Sequence, residues 1–236
     1  MKSEERHSCG HHEAACVALV PIFNHLEDEQ LQEVMKVVQS VSYKKGEIIY
    51  RSGDDSSSLY IVNEGKIKIY RLSETGKELL LRILEPGDFT GELALFKETT
   101  HEAYAEAIGN TKVCMISRIE LQQLLLKYPS ISLKILSEFS NRLEVSEKQT
   151  TSFATEKVET RIALFLAECA DQEQKLEFDL PMSKKDLASY LGTTPETISR
   201  KLAELEERKI IIQKKQKKIE VLDLDRLLLI GVDGKG

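Results

Sequence analysis

The sequence predicts an α+β chain: a small β sandwich or barrel first, then a long helix, then a helical hairpin with a two-stranded wing. Three observations carry this. Between residues 43 and 116, short β-rich runs alternate with Gly, Asp, Ser and Pro turns, whereas residues 130–177 contain neither Gly nor Pro. Residues 184–208 then form two helical patterns divided by Gly192, Thr193 and Thr194. The 236 residues, 41% hydrophobic and 31% charged, suffice for one or two domains with a real core. No apolar run approaches the roughly 18 residues of a membrane span, so a membrane partner is not expected.

In chain order, residues 1–19 form a Cys- and His-containing segment. It starts polar and lacks the apolar stretch of a secretory signal, which predicts a cytoplasmic protein. Four cysteines in a reducing compartment are not a disulfide framework. A β domain is expected over 20–117. It opens with a helix over 26–38 that has Leu31, Val34, Met35 and Val38 on one face. Strands are expected at 47–50, 59–62, 66–70, 79–83, 103–107 and 113–116, with turns at Gly53-Asp54, Glu64-Gly65, Thr75-Gly76 and Pro86-Gly87-Asp88.

A helical region over 118–156, interrupted at Pro129, carries Leu136, Phe139, Leu143, Ser146, Thr150 and Phe153 at 3,4,3,4,3 spacing. That is the seam of a coiled coil, and it favours a dimer helix over one packed on its own domain. The remaining domain, 157–236, reads as helices over 158–169, 184–191 and 195–208, then strands at 210–212 and 218–222. A turn as short as Gly192-Thr193-Thr194 holds two helices at a steep angle, so this is a winged helix-turn-helix.

The formal charge of −6 conceals an asymmetry. Residues 181–218 hold ten Lys/Arg against five Asp/Glu, while residues 1–180 hold 21 against 30. Ser183 and Asp186 have the form of a capping box, and Thr194 followed by Pro195 marks the second helix start. On that helix Ile198, Leu202 and Leu205 share the buried face, leaving Glu196, Ser199 and Arg200 exposed near its N-terminus, where base edges are reached in a major groove. Arg bonds bidentately to guanine O6 and N7, and Glu accepts from cytosine N4. Thr194, Thr197, Lys201, Lys214, Lys215, Lys217 and Lys218 are the candidate phosphate contacts. The partner implied is double-stranded DNA.

The segment Tyr190-Leu-Gly-Thr-Thr-Pro-Glu-Thr-Ile-Ser-Arg200 resembles the recognition motif of the Crp/Fnr transcription regulators, and Glu196, Ser199 and Arg200 match the reading triple of the FNR branch. The resemblance extends through Gly46-Glu-Ile-Ile, Gly53-Asp54, Pro86-Gly-Asp and Gly91-Glu-Leu, from about residue 20 to 225. It implies a jelly-roll domain of the cyclic-nucleotide-binding type, a dimerising helix, and inverted TTGAT-like half-sites. It also implies a homodimer, with RNA polymerase as a further partner if the protein activates. Lys201 departs from the aliphatic residue many relatives carry there.

The same resemblance bears on what is sensed. Gly91, Glu92 and Leu93 match the ribose-binding turn of cyclic-nucleotide receptors, but Glu102 and Ala103 stand where those receptors place an Arg-Ser phosphate clamp. A carboxylate repels the phosphate, so Gly91, Glu92 and Leu93 are read as a vestigial effector pocket. Cys16 and Cys114 resemble the cysteine pair of the FNR-like (FLP) proteins of lactic-acid bacteria, which implies a reversible dithiol switch. Two alternatives stand beside it: a small-ligand receptor, and an iron–sulfur cluster or zinc held by Cys9, Cys16, Cys114, His7, His11 and His12, with no cofactor certain. Cys169 reads as helix core. Catalysis is not expected, because the β region offers only His101 and no nucleophile elbow, phosphate loop or HExxH spacing occurs.

Overall fold

The computed structural model describes residues 7–8, 20–96, 98–215 and 217–233. The chain divides into two compact units, residues 1–141 and 142–236. Among the described residues no helix is long and apolar enough to cross a membrane.

The first unit runs β1 (His7–Ser8), α1 (Asp28–Val37), β2 (Gln39–Tyr43), β3 (Ile48–Tyr50), β4 (Asp55–Ser56), β5 (Ser58–Glu64), β6 (Ile67–Leu72) and β7 (Glu78–Leu84). It continues with β8 (Phe89–Thr90), a 3-10 turn (Glu92–Leu95), β9 (Thr99–Thr100), β10 (Tyr104–Ala107), β11 (Thr111–Ser117), α2 (Arg118–Lys127) and the start of α3 (Pro129–Thr155). The strands form two antiparallel sheets, β1-β2-β11-β5-β8 and β3-β10-β6-β7, with a β4-β9 ribbon beside them. This is the expected jelly roll.

Two clusters hold it together. One joins the first sheet to the helices through Val20, Ile22, Phe23, Val34, Ile61, Cys114, Ile131 and Ile135. The other lies around Tyr50, Tyr60, Ile67, Ile69 and Val113. Each fully buried aliphatic side chain contributes roughly 1.5–3 kcal/mol. Ser117 starts α2 with a reciprocal capping box to Glu120, and Pro129 then occupies the first turn of α3, where its missing N–H costs no hydrogen bond.

The second unit contains the end of α3, then α4 (Val158–Glu173), β12 (Glu177–Asp179), α5 (Lys184–Tyr190), α6 (Pro195–Glu207), β13 (Ile211–Gln213), β14 (Lys218–Val221) and α7 (Leu224–Asp233). Its sheet is β12-β14-β13. Lys157 is extended (φ −68°, ψ 153°) and begins α4.

The structure adds to the expected elements. α4 reaches Glu173, the wing gains the strand β12, and α7 packs on α4 through buried Leu227 and a bond from Thr160 Oγ1 to the Ile230 carbonyl (3.1 Å). The seam is not uniform. Leu136, Leu143, Ser146 and Thr150 are exposed, and Thr150 donates its hydroxyl back to the Ser146 carbonyl at 2.9 Å. Its two aromatic members also make contacts within their own units, Phe139 half-buried and Phe153 still 40% exposed. Phe139 lies against the first cluster and the Phe96 ring, 5.8 Å away, while Phe153 lies under Gly192 and the Arg161 guanidinium.

Candidate nucleic-acid interface

The helical hairpin is built from its caps inward. The Ser183 hydroxyl accepts from the Asp186 N–H (3.1 Å) and donates to the Asp186 carboxylate (2.5 Å). The expected capping box is thus altered: Asp is one methylene shorter than Glu and here takes the Ser183 hydroxyl. At the turn Gly192 adopts φ +63°, a left-handed conformation that glycine tolerates, and Thr193 N donates to the Ala188 carbonyl at 2.8 Å. Thr194 Oγ1 accepts from Thr197 N (3.3 Å) and Pro195 opens α6.

α6 is seated by Ile198, Leu202 and Leu205, all buried, against a core that includes Leu187, Ala188, Leu166 and Ile210. The opposite face presents Glu196, Ser199 and Arg200 to solvent. The Glu196 carboxylate is held below the usual range by its own backbone N–H and the Thr194 hydroxyl at the helix N-terminus. It is an ionised acceptor at neutral pH. Arg200 is 68% exposed and its Nε lies 3.8 Å from Glu204 Oε1.

The seven expected phosphate contacts divide by partner. Lys215 and Lys217 are exposed on the wing turn, with no ion-pair partner among the described residues, and Lys217 has φ +71°. Lys214 bridges Glu177 and Glu220, and Lys218 lies 3.3 Å from Glu177, so these two tie the wing strands together. Thr194 and Thr197 bond to each other at 3.2 Å beside the α6 N-terminus. Lys201 differs most from a phosphate contact: its side chain is only 21% exposed and its ammonium bridges Glu159 (3.0 Å) and Glu204 (2.5 Å). Arg208 also reaches Glu159, at 2.8 Å. Sequence reading missed this network, since Glu159 lies 42 residues before Lys201. The i,i+4 spacing of Arg200 and Glu204 and the i,i+3 spacing of Lys201 and Glu204 were its legible links.

In the first unit Gly91 adopts φ +83°, and a Cβ there would meet the Ser58 carbonyl oxygen at 2.3 Å. Glu92 is 9% exposed and turned inward to Arg82 (3.2 Å), while Leu93 is exposed. Arg82 also reaches Thr90 Oγ1 (3.5 Å), which bonds the Tyr50 hydroxyl at 2.8 Å. Tyr50 in turn stacks on His101 at 3.7 Å, an arrangement the sequence did not signal. Burial pushes the Tyr50 hydroxyl up to about 12. Glu102, at the phosphate-clamp position, pairs with Arg71.

Cys114 is wholly buried on β11, opposite Ser40 and Ile61, in the cluster that also takes in Val20, Ile22 and Phe23. Cys169 is buried in α4, its thiol pushed up to about 12 by burial and by Glu168 and Glu173. His7 lies in β1 opposite Ser40. Cys9, Cys16, His11 and His12 lie outside the described residues. Of the chain's four cysteines the candidate donor set holds three, Cys9, Cys16 and Cys114, the last enclosed by aliphatic side chains. A four-thiolate cluster does not fit that set.

Comparison with known proteins agrees with this geometry. Residues 40–128 match the family model for the cyclic nucleotide-binding domain, and residues 160–230 match that for the Crp-like helix-turn-helix domain. The chain is 35% identical to the probable transcriptional regulator flp of Lacticaseibacillus casei, over 89% of this chain and 95% of that protein. It is 30% identical to the fumarate and nitrate reduction regulatory protein of Vibrio cholerae, over 89% and 84%. Among solved structures, FixK2 from Bradyrhizobium japonicum superposes with a TM-score of 0.73 at 28% identity, over 82% of this chain and 97% of that one.

Proposed function

The chain belongs to the Crp/Fnr family of DNA-binding transcription regulators, and from that premise we propose that it acts as a homodimer on inverted TTGAT-like half-sites under redox control. The organisation proposed is an N-terminal Cys/His segment over 1–19, a jelly-roll sensor over 20–117, a dimerisation region over 118–156 and a DNA-binding domain over 157–236. One observation carries the reading: Glu196, Ser199 and Arg200 are exposed together on a helix whose opposite face is fully seated. Arg200 takes guanine O6 and N7, Glu196 accepts from cytosine N4, and Ser199 contacts an adjacent base edge. Lys215 and Lys217 supply phosphate contacts that carry no sequence information. The exposed Leu136 and Leu143 supply the dimer contact.

The switch assigned to Cys16 and Cys114 is an oxidation of two thiols to one disulfide, in which a peroxide accepts two electrons and two protons and leaves as alcohol and water. Support comes from packing, since Val20, Ile22 and Phe23 share a cluster with the Cys114 thiol. The inward Glu92 and the carboxylate of Glu102 weigh against a bound cyclic nucleotide.

The test is a fluorescence-anisotropy titration of a half-site repeat against its G-substituted counterpart, using reduced and peroxide-treated protein. Arg200→Ala should erase the preference for G, worth roughly 1–3 kcal/mol per contact. Peroxide should change the affinity of the wild type but not of Cys114→Ser. Equal loss on specific and random DNA for Arg200→Ala overturns the base-reading assignment, and equal peroxide responses overturn the switch.

A further inference from the structure

The ion pairs behind α6 form an unbroken chain of charge that ends on the base-reading arginine. Arg208 Nη1 lies 2.8 Å from Glu159 Oε1, and Glu159 Oε2 lies 3.0 Å from Lys201 Nζ. Lys201 Nζ lies 2.5 Å from Glu204 Oε2, and Glu204 Oε1 lies 3.8 Å from Arg200 Nε. Exposure is lowest in the middle of the chain, at Lys201 (21%), and rises from there through Glu204 (40%) to Arg200 (68%).

We propose that Lys201 is a positioning residue for base readout, which occupies one oxygen of Glu204 so that the carboxylate steadies Arg200 without capturing it. The inference rests on the assignment of Arg200 to guanine. A glutamate one helical turn behind an arginine closes onto it bidentately when both oxygens are available, and that pair uses the same fork that guanine requires. Here Lys201 holds Oε2, and Arg200 keeps a single long contact to Glu204, at Nε. α4 anchors the arrangement, because Glu159 fixes Lys201 from behind. Glu204 and Glu159 also hold the Lys201 ammonium protonated above the usual lysine range. An ammonium committed to two carboxylates is not available to a phosphate, so Lys201 acts through Arg200 and not on the DNA backbone.

Lys201→Met keeps the length of the side chain and removes its charge. In the full-length protein, titrated against a TTGAT-type repeat, its G-to-A counterpart and a random duplex, it should lower discrimination between the first two about fivefold. Affinity for the random duplex and the dependence on salt should stay as in the wild type. Adding Glu204→Gln to Lys201→Met should restore discrimination, because the competing carboxylate is gone. The proposal is overturned if Lys201→Met weakens all three duplexes alike with a flatter salt slope, if it leaves discrimination intact, or if the double variant fails to recover. Lys201→Gln supplies the same readout if Lys201→Met does not fold. Arg200→Ala separates the two levels. If it retains the preference for G, the base-reading assignment fails; if it loses that preference while Lys201→Met keeps it, only the positioning role fails.

Discussion

One set of polar side chains in the jelly-roll unit turns inward, each in contact with the next, whereas Glu196, Ser199 and Arg200 of α6 turn outward. In the first unit Glu92, Arg82, Thr90 and Tyr50 form a line of contacts that ends at the stacked ring of His101. In the second, Glu196, Ser199 and Arg200 face solvent, and their neighbours Lys201, Glu204, Glu159 and Arg208 are committed to each other. A polar group spent on a neighbouring side chain holds the fold together. One left to water, on a helix that cannot shift, is ready for a ligand. The family likeness makes both units recognisable, and in the second the three proposed reading residues face outward.

Four substitutions sharpen the contrast. The largest effect is expected at Gly91, where φ is +83° and the Ser58 carbonyl crowds the missing Cβ. Gly91→Ala should destabilise the first unit by at least about 2 kcal/mol, read by urea denaturation. An unchanged midpoint would mean the turn is plastic and its inward Glu92 negotiable.

A smaller effect separates the wing lysines. Lys217→Ala should reduce the slope of log affinity against log salt by about 1 per protomer, equally on specific and random DNA. Lys214→Ala, which removes pairs to Glu177 and Glu220, should lower wing stability with less change in that slope. Matching slopes would show that an ion-paired lysine still serves the phosphates.

The smallest effect concerns pH. Burial lowers the proton affinity of His101 below its ordinary value of 6.5, although Asp54 and Glu92 pull in the opposite direction. Tyr50 and Tyr60 face the same ring, and its Nε2 is buried without a hydrogen-bond partner among the described residues. As pH falls, the unfolded chain therefore binds the proton first. The contribution is intact above 6.5 and is lost as pH falls through the lower folded value. His101→Phe keeps a stacked ring and should give a melting temperature that declines less than the wild type between pH 7 and pH 5. His25, lowered by burial and by Lys134, acts with the same sign in both proteins and cancels from the difference. Parallel curves would remove His101 from the acid response.

Legibility in the sequence followed the range of the interactions. The second helix start at Thr194 and Pro195, the turn at Gly192 and the outward set of α6 were readable because each depends on residues within about one helical turn. The two-residue strands β4, β8 and β9 have no period to detect, and the boundary at Lys157 is marked by neither Gly nor Pro. The pairing of Glu159 with Lys201 and the ring stack of His101 on Tyr50 join residues tens of positions apart, so no local pattern encodes them. The seam spacing was visible, but the contacts of Phe139 with Phe96 and of Phe153 with Gly192 join residues far apart in the chain.

The left-handed backbone at Lys217 ties the wing's firmness to its grip. A lysine there forgoes about 1 kcal/mol that glycine would not. Glycine would relieve the turn's strain and delete an exposed charge in one step, so, with Lys217 in the proposed phosphate role, the less strained wing would hold the DNA more weakly. Engineering this protein for heat resistance at that turn would loosen its hold on every operator at once.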